Sequence, residues 1–207
     1  MTETAPMKMI LRLARALALV ALLPFPATAA DWKAIEKTET YAISGTTGME
    51  LYASIGAKGP LLSGGTRAIA YTTFDLKWSR DYRAQPDGSC TLVSGKPWLT
   101  ITYRLPKPAQ TLPAPLAANW KRFITGMTAH EKVHGDHIRQ MVDRIIATTV
   151  GVNVPDDAGC RKIREVLQTP LAEASLEQRA RSNAFDREEM SPGGNVHGLI
   201  LDLVNGG

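Results

Sequence analysis

Two histidines and a glutamate lie close together in this sequence, at a spacing that could hold a metal ion. His130, Glu131 and His134 form a His-Glu-x-x-His motif. In a helix, this spacing puts both imidazoles on one face about 6 Å apart, where they can share a tetrahedral zinc at about 2.0–2.1 Å per Zn–N bond. Glu131 is displaced around the helix from the two ligands, so it can reach a zinc-bound water without occupying a coordination position and act as general base. The motif predicts zinc-dependent hydrolysis, although the same spacing also arises by chance on solvated helix faces.

A third ligand is expected outside the motif, because catalytic zinc keeps three protein ligands and one open position. The extended His-Glu-x-x-His-x-x-Gly-x-x-His pattern is absent, since position 137 is His and position 140 is Gln. His137 would lie about 10 Å along the helix axis from His130, too far to share one ion with both motif histidines. We interpret His137 as a neighbour of the site, with an ordinary surface histidine as the alternative.

The candidates for the third ligand lie near the C-terminus. His197 is the only histidine outside the region 130–137, and we favour it because imidazole suits zinc. Asp186 could orient a ligand imidazole from behind or bind the metal itself. Glu188 and Glu189 are also candidates, since their position resembles that of a glutamate ligand, but we expect them to be solvated charges at the end of a helix.

Helical patterns are expected to position these residues. Apolar residues follow one stripe through the motif and predict a helix from about 116 to 150. A second helical region is predicted from 157 to 189, with an interruption at Pro170. The loop 191–194 should follow, with His197 in a glycine-flanked loop beyond it.

The first half of the chain is expected to be rich in strands. A short strand is predicted at 41–45, and the capping box Thr47-x-x-Glu50 predicts a brief helix that stops at Gly56. Period-two alternation predicts strands at 68–80 and 98–105, joined through a Pro-Asp-Gly turn into an antiparallel meander. The proline-rich residues 106–115 are expected to connect sheet to helices. We therefore predict an α+β fold, with an N-terminal antiparallel sheet followed by a zincin-like helical half, as a single domain over residues 30–207.

The N-terminus has the pattern of a secretory signal. A basic segment precedes an apolar core at 17–23 and the small residues Ala27-Thr28-Ala29. We predict a signal peptide over residues 1–29 and export to the periplasm or beyond. The apolar run is shorter than the roughly 20 residues that cross a bilayer, so no lasting membrane anchor is expected.

Export changes the interpretation of the cysteines. In an oxidising compartment, Cys90 and Cys160 are expected to form one disulfide rather than two free thiols. Neither cysteine lies in a recognisable nucleophile motif.

Composition and charge argue against two classes of protein. A hydrophobic content of 44% with 21% charged residues describes a folding chain, not a disordered one. The net charge is +4, and the first thirty residues supply two of these charges. With no basic run beyond residue 30, no nucleic-acid partner is expected.

Beyond the motif, the order of residues along nearly all of the mature chain resembles a known bacterial family. It is the family of predicted secreted zinc-dependent proteases, domain of unknown function nine hundred twenty-two. The resemblance is carried by Tyr41-x-Ile43-Ser44-Gly45, Glu50-Leu51, Gly59-Pro60, Trp78, Cys90, Leu105-Pro106, Trp120, His130-Glu131-x-x-His134, Cys160, Phe185-Asp186 and His197-Gly198. It implies a zincin-like protease of peptide or protein substrates.

Together, these patterns predict an exported zinc-dependent metallopeptidase, with Glu131 as base and His130, His134 and His197 as zinc ligands. Two alternatives stay open: a non-catalytic envelope module with a structural zinc, and an amidase acting on cell-wall peptides. A structural site would be saturated by protein ligands, whereas a catalytic site keeps a position for water.

Overall fold

The computed structural model describes Met1 and residues 32–206. Apart from Met1, the predicted signal peptide lies outside these residues. The described elements are β1 (Ile35–Ile43), α1 (Gly48–Lys58), β2 (Tyr71–Ala84), β3 (Cys90–Pro108), α2 (Ala114–Thr149), β4 (Asn153–Val154), α3 (Lys162–Val166), α4 (Gln168–Met190) and α5 (Asn195–Asn205). The mixed α+β class with an N-terminal sheet is confirmed. None of the described helices has the length and apolar character needed to span a membrane.

The sheet is mixed rather than antiparallel. β2 and β3 form the predicted antiparallel hairpin, with Gly88 in the left-handed region at φ 82° in the turn between them. β1 pairs with β3 in parallel, so the strand order is β1-β3-β2, and the short β4 pairs with the start of β3. The prediction of an antiparallel sheet is therefore wrong for β1. β1 pairs with β3, the second strand of the hairpin, and not with β2. Because β3 runs in the same direction as β1, this pairing is parallel.

The proline-rich connector is shorter than predicted, because β3 continues to Pro108. β2 begins opposite Arg104, so β3 has no β2 partner beyond that residue. Pro106 and Pro108 instead lie beside Tyr41 and Ile43 of β1. A proline can occupy a strand where its missing N–H has no partner to bond, which explains how two prolines end this central strand.

The helices follow the predicted pattern with three differences. α1 begins with the predicted capping box, formed by Thr47 and Glu50, but it continues past Gly56 to Lys58. The break in the second helical region lies at Leu167, since Pro170 falls in the first turn of α4, where its missing N–H is tolerated. The C-terminal loop is in fact the helix α5. Its apolar residues Val196, Leu199 and Leu203 pack on one core cluster, and this packing stabilises the helix.

Two hydrophobic clusters hold α2 on either side of the motif. Met127, one turn before the motif, belongs to a cluster that includes residues of α1, β1 and α5. Ile138, one turn after it, belongs to a cluster with β3 and α4. Each fully buried aliphatic side chain contributes about 1.5–3 kcal/mol, so both ends of the motif segment are anchored. The polar motif residues lie between these two apolar regions.

The predicted disulfide between Cys90 and Cys160 is present, with a Cα–Cα distance of 5.3 Å. It joins the start of β3 to the segment before α3. Disulfides persist in oxidising compartments, so this bond is compatible with export.

Candidate metal centre

Three side chains from two helices bring ligand atoms together at one point. His130 and His134 lie on α2, and their Nε2 atoms are 3.1 Å apart. Asp186 on α4 places Oδ1 at 3.2 Å from the Nε2 of His130 and 2.9 Å from the Nε2 of His134. These residues form a group of ligand atoms that could hold a metal ion.

The spacing of these atoms fits a small divalent cation. Four ligands at about 2.0–2.1 Å around a tetrahedral zinc are separated from one another by about 3.3–3.4 Å. The three separations of 2.9–3.2 Å are close to that value. The site is also accessible, because the side chain of Asp186 is 48% exposed while that of His130 is 6% exposed. Three protein ligands at the edge of solvent leave room for a water or a substrate atom.

The electrostatics of Asp186 favour the anion that a metal ion requires. Burial by itself would raise the pKa of this carboxyl group. The hydrogen bonds and charges of His130 and His134 outweigh burial and hold the pKa of Asp186 well below its usual value. Asp186 is therefore ionised at neutral pH and available as a ligand.

Glu131 lies beside this group and is almost completely buried, at 3% exposure. Thr72 on β2 donates a hydrogen bond of 2.5 Å from its hydroxyl to Oε2 of Glu131. Burial raises the pKa of Glu131 above its usual value, while the Thr72 hydrogen bond and the charges of the two motif histidines act in the opposite direction. A buried carboxylate with a raised pKa, held by a fixed donor, is suited to accept and release a proton.

Phe185 forms one wall of the group. Its ring stacks on His130 at a centroid distance of 4.8 Å and a 20° interplanar angle, and it meets His134 edge-on at 5.6 Å. One residue of α4 thus fixes the orientation of both imidazoles, and the next residue supplies the carboxylate. In the sequence, Phe185 contributes only to the family resemblance. The signal that could have marked it is an aromatic residue directly before Asp186.

The structure does not bring His197, the favoured third ligand, into the group. His197 lies in the first turn of α5, and among the described residues the ligand group contains Asp186 in its place. Asp186 had been named as the alternative, either orienting a ligand imidazole or binding the metal directly. α4 and α2 pack against each other, and this contact carries Asp186 to the two motif histidines.

His137 is buried next to the group rather than exposed on the surface. It is 9% exposed, and its ring centroid lies 6.3 Å from that of His134. Its Nδ1 forms a hydrogen bond of 3.2 Å with the hydroxyl of Ser182 on α4. His137 is not part of the ligand group, so its contact with Ser182 joins α2 to α4.

Glu188 and Glu189 differ, although both were expected to be solvated. Glu188 is exposed, whereas the side chain of Glu189 is 17% exposed and lies 3.6 Å from Nδ1 of His130. Glu189 follows Asp186 by three residues and so shares its face of α4. That spacing was visible in the sequence, but its meaning depends on α2 lying against this face.

Comparison with known proteins identifies one family. No curated protein and no solved structure matches the chain. A family model described as "Bacterial protein of unknown function (DUF922)" matches residues 38–198, which confirms the family resemblance seen in the sequence. Because this match covers well over half of its length, the chain belongs to that bacterial family.

Proposed function

We propose that this protein is an exported zinc-dependent hydrolase of peptide bonds, with zinc held by His130, His134 and Asp186. Glu131 is its general base. One observation carries the proposal: three ligand atoms lie within 3.2 Å of one another beside a buried carboxylate. The presence of this base on the same His-Glu-x-x-His helix as two of the three ligands supports hydrolysis over simple metal storage.

The set of donor atoms is compatible with more than one metal. Two imidazoles and one carboxylate form a three-ligand catalytic zinc set, and the same set also suits non-haem Fe(II) in oxygenases. The buried Glu131 favours zinc, since hydrolysis needs a base beside the metal. Identification of the bound metal therefore separates a hydrolase from a redox enzyme.

Different residues of the chain have different roles in hydrolysis. Zinc, when bound, supplies Lewis-acid chemistry by lowering the pKa of water to about 7 and polarising the scissile carbonyl. Glu131 accepts the proton of the attacking water at its carboxylate and delivers it to the leaving amine. Thr72 holds that carboxylate in place through its hydroxyl hydrogen bond. Phe185 holds the ring of His130 in place by stacking on it.

The decisive variant is Glu131→Gln, which keeps the size of the side chain and removes the base. We expect it to retain zinc and to lose hydrolysis of an unfolded protein and of a fluorogenic peptide library. Glu188→Gln is the matched control, because the same change is made at an exposed position of α4. It should leave both zinc content and hydrolysis unchanged.

Zinc-dependent hydrolysis by purified Glu131→Gln would refute the role given to this residue. A wild-type protein that binds zinc and cleaves neither proteins, peptides nor cell-wall peptides would favour a structural zinc in an envelope module. Cleavage confined to cell-wall peptides would indicate the amidase.

A further inference from the structure

The two ring nitrogens of His130 face different surroundings. Nε2 points to His134 and Asp186, at the ligand group. Nδ1, on the other side of the ring, is fully buried and has no hydrogen-bond partner among the described residues. A buried N–H without a partner is destabilising, so an atom in this position calls for a partner.

One carboxylate lies close to this nitrogen. Oε2 of Glu189 is 3.6 Å from Nδ1 of His130, which is longer than a hydrogen bond by less than 1 Å. Asp186 and Glu189 are three residues apart on α4, so one helix face presents a carboxylate to each nitrogen of the same imidazole.

The turn between α4 and α5 holds Glu189 near His130. Asn195, the first residue of α5, donates a hydrogen bond of 2.9 Å from Nδ2 to the same Oε2 of Glu189. The turn is tight: a Cβ at Gly194 would lie 2.3 Å from the carbonyl oxygen of Glu188 and 2.5 Å from that of Glu189. α5 is fixed in turn by Val196 and Leu203, both fully buried. The side chain of Glu189 is thus restrained by a polar contact at its tip.

We propose that Glu189 is a positioning residue for the metal centre, accepting a hydrogen bond from Nδ1–H of His130. This inference rests on the proposed function. The hydrogen bond fixes the proton on Nδ1, which leaves the lone pair of Nε2 free for the metal, and the carboxylate increases the basicity of the ring. Glu189 acts through His130 and does not touch the ligand positions. Its removal therefore weakens metal binding without changing the stoichiometry.

The test compares Glu189→Ala, Glu189→Gln and the exposed control Glu188→Ala in the purified protein. Zinc affinity is measured by competition with a chromogenic chelator. We expect Glu189→Ala to bind one zinc per chain with roughly ten- to a hundredfold lower affinity, the range seen when such partners of ligand histidines are removed. Glu189→Gln keeps an acceptor oxygen, so its affinity should lie between those of Glu189→Ala and wild type. Glu188→Ala should bind zinc as the wild type does.

A second measurement does not depend on bound metal. In the metal-free protein, Asp186 accepts a hydrogen bond from Nε2 of His130, so the measurement is made on Asp186→Ala, where that competing acceptor is removed. Long-range ¹⁵N NMR of this metal-free variant reports which nitrogen of His130 carries the proton. Asp186→Ala should show the Nδ1–H tautomer, and the double variant Asp186→Ala/Glu189→Ala should shift His130 towards a mixture of both. The partial recovery in Glu189→Gln separates this role from general damage to the fold.

The outcomes distinguish this inference from the proposed function. Wild-type zinc affinity in Glu189→Ala would overturn the positioning role and leave the zinc site intact. Complete loss of zinc, as expected on removal of a ligand, would overturn it by making Glu189 a ligand itself. If wild type binds no zinc, the proposed function fails, and the tautomer of His130 alone decides the inference: a shift when Glu189→Ala is added to Asp186→Ala supports it, and an unchanged tautomer overturns it.

Discussion

Gly135 lies directly after the motif, and its substitution tests how closely α2 approaches the sheet. A Cβ added at this position would lie 2.2 Å from Oη of Tyr103 and 3.1 Å from its Cζ. Tyr103 is 1% exposed, and the ammonium of Lys132 lies 4.2 Å from its ring centroid. The tyrosine ring therefore cannot move aside without displacing its neighbours. Gly135→Ala must push α2 and β3 apart next to His134.

The size of the effect follows from two opposing contributions. Overpacking a well-packed core costs about 1–3 kcal/mol, and a 2.2 Å contact places this site near the top of that range. Alanine in place of glycine in a helix contributes about 1 kcal/mol in the favourable direction. Gly135→Ala should therefore lower the free energy of unfolding by about 2 kcal/mol.

The matched control is Gly56→Ala in α1, where an added Cβ would meet no atom within 4 Å. The same substitution there should raise the free energy of unfolding by about 1 kcal/mol. Urea unfolding followed by circular dichroism, with the disulfide intact, measures both variants against wild type. Equal stabilisation by the two substitutions would refute the close packing of Tyr103 against α2.

Three further predictions concern the base and the disulfide. Thr72→Val removes a hydrogen bond that lowers the pKa of Glu131, so the acid limb of the pH–rate profile should move to higher pH; an unmoved limb would exclude this contact. Glu131→Gln should raise the free energy of unfolding of the metal-free protein. Burial raises the folded-state pKa of Glu131, so wild type loses stability as pH rises from the usual glutamate value through that raised pKa. The gain should therefore vanish in acid, and denaturation at pH 4 and pH 8 without metal checks it. Replacing Cys90 and Cys160 together by alanine opens a loop with a sequence separation of 70, which should lower stability by about 4 kcal/mol. Wild type treated with a reductant should lose a similar amount, and unchanged unfolding in both would contradict the estimate.

Local patterns predicted the elements of this fold better than their arrangement. The alternation in β2 and β3 and the apolar stripe of α2 depend on neighbouring residues, so they are visible in the sequence. The parallel pairing of β1 with β3 depends on which strand the hairpin places in the middle of the sheet, and no local pattern encodes that. α5 was missed because its apolar face follows a glycine-rich turn that is typical of a loop.

In the metal centre too, local patterns predicted the residues on one helix but not those that the fold brings together. His130, Glu131 and His134 are neighbours on one helix, so their spacing alone predicted their common face. Asp186 and Glu189 come from α4, and only the packing of α4 on α2 brings them to the two sides of the His130 ring. Preference for imidazole over carboxylate as a zinc ligand favoured His197, but proximity in the fold favours Asp186.

Metal content tests the central proposal most directly. Elemental analysis of zinc-reconstituted wild type is compared with Asp186→Ala, His134→Ala and His197→Ala. We predict one zinc per chain in wild type and in His197→Ala, and loss of zinc in Asp186→Ala and His134→Ala. A wild-type protein without metal would contradict the proposal, and so would zinc that is lost in His197→Ala and retained in Asp186→Ala.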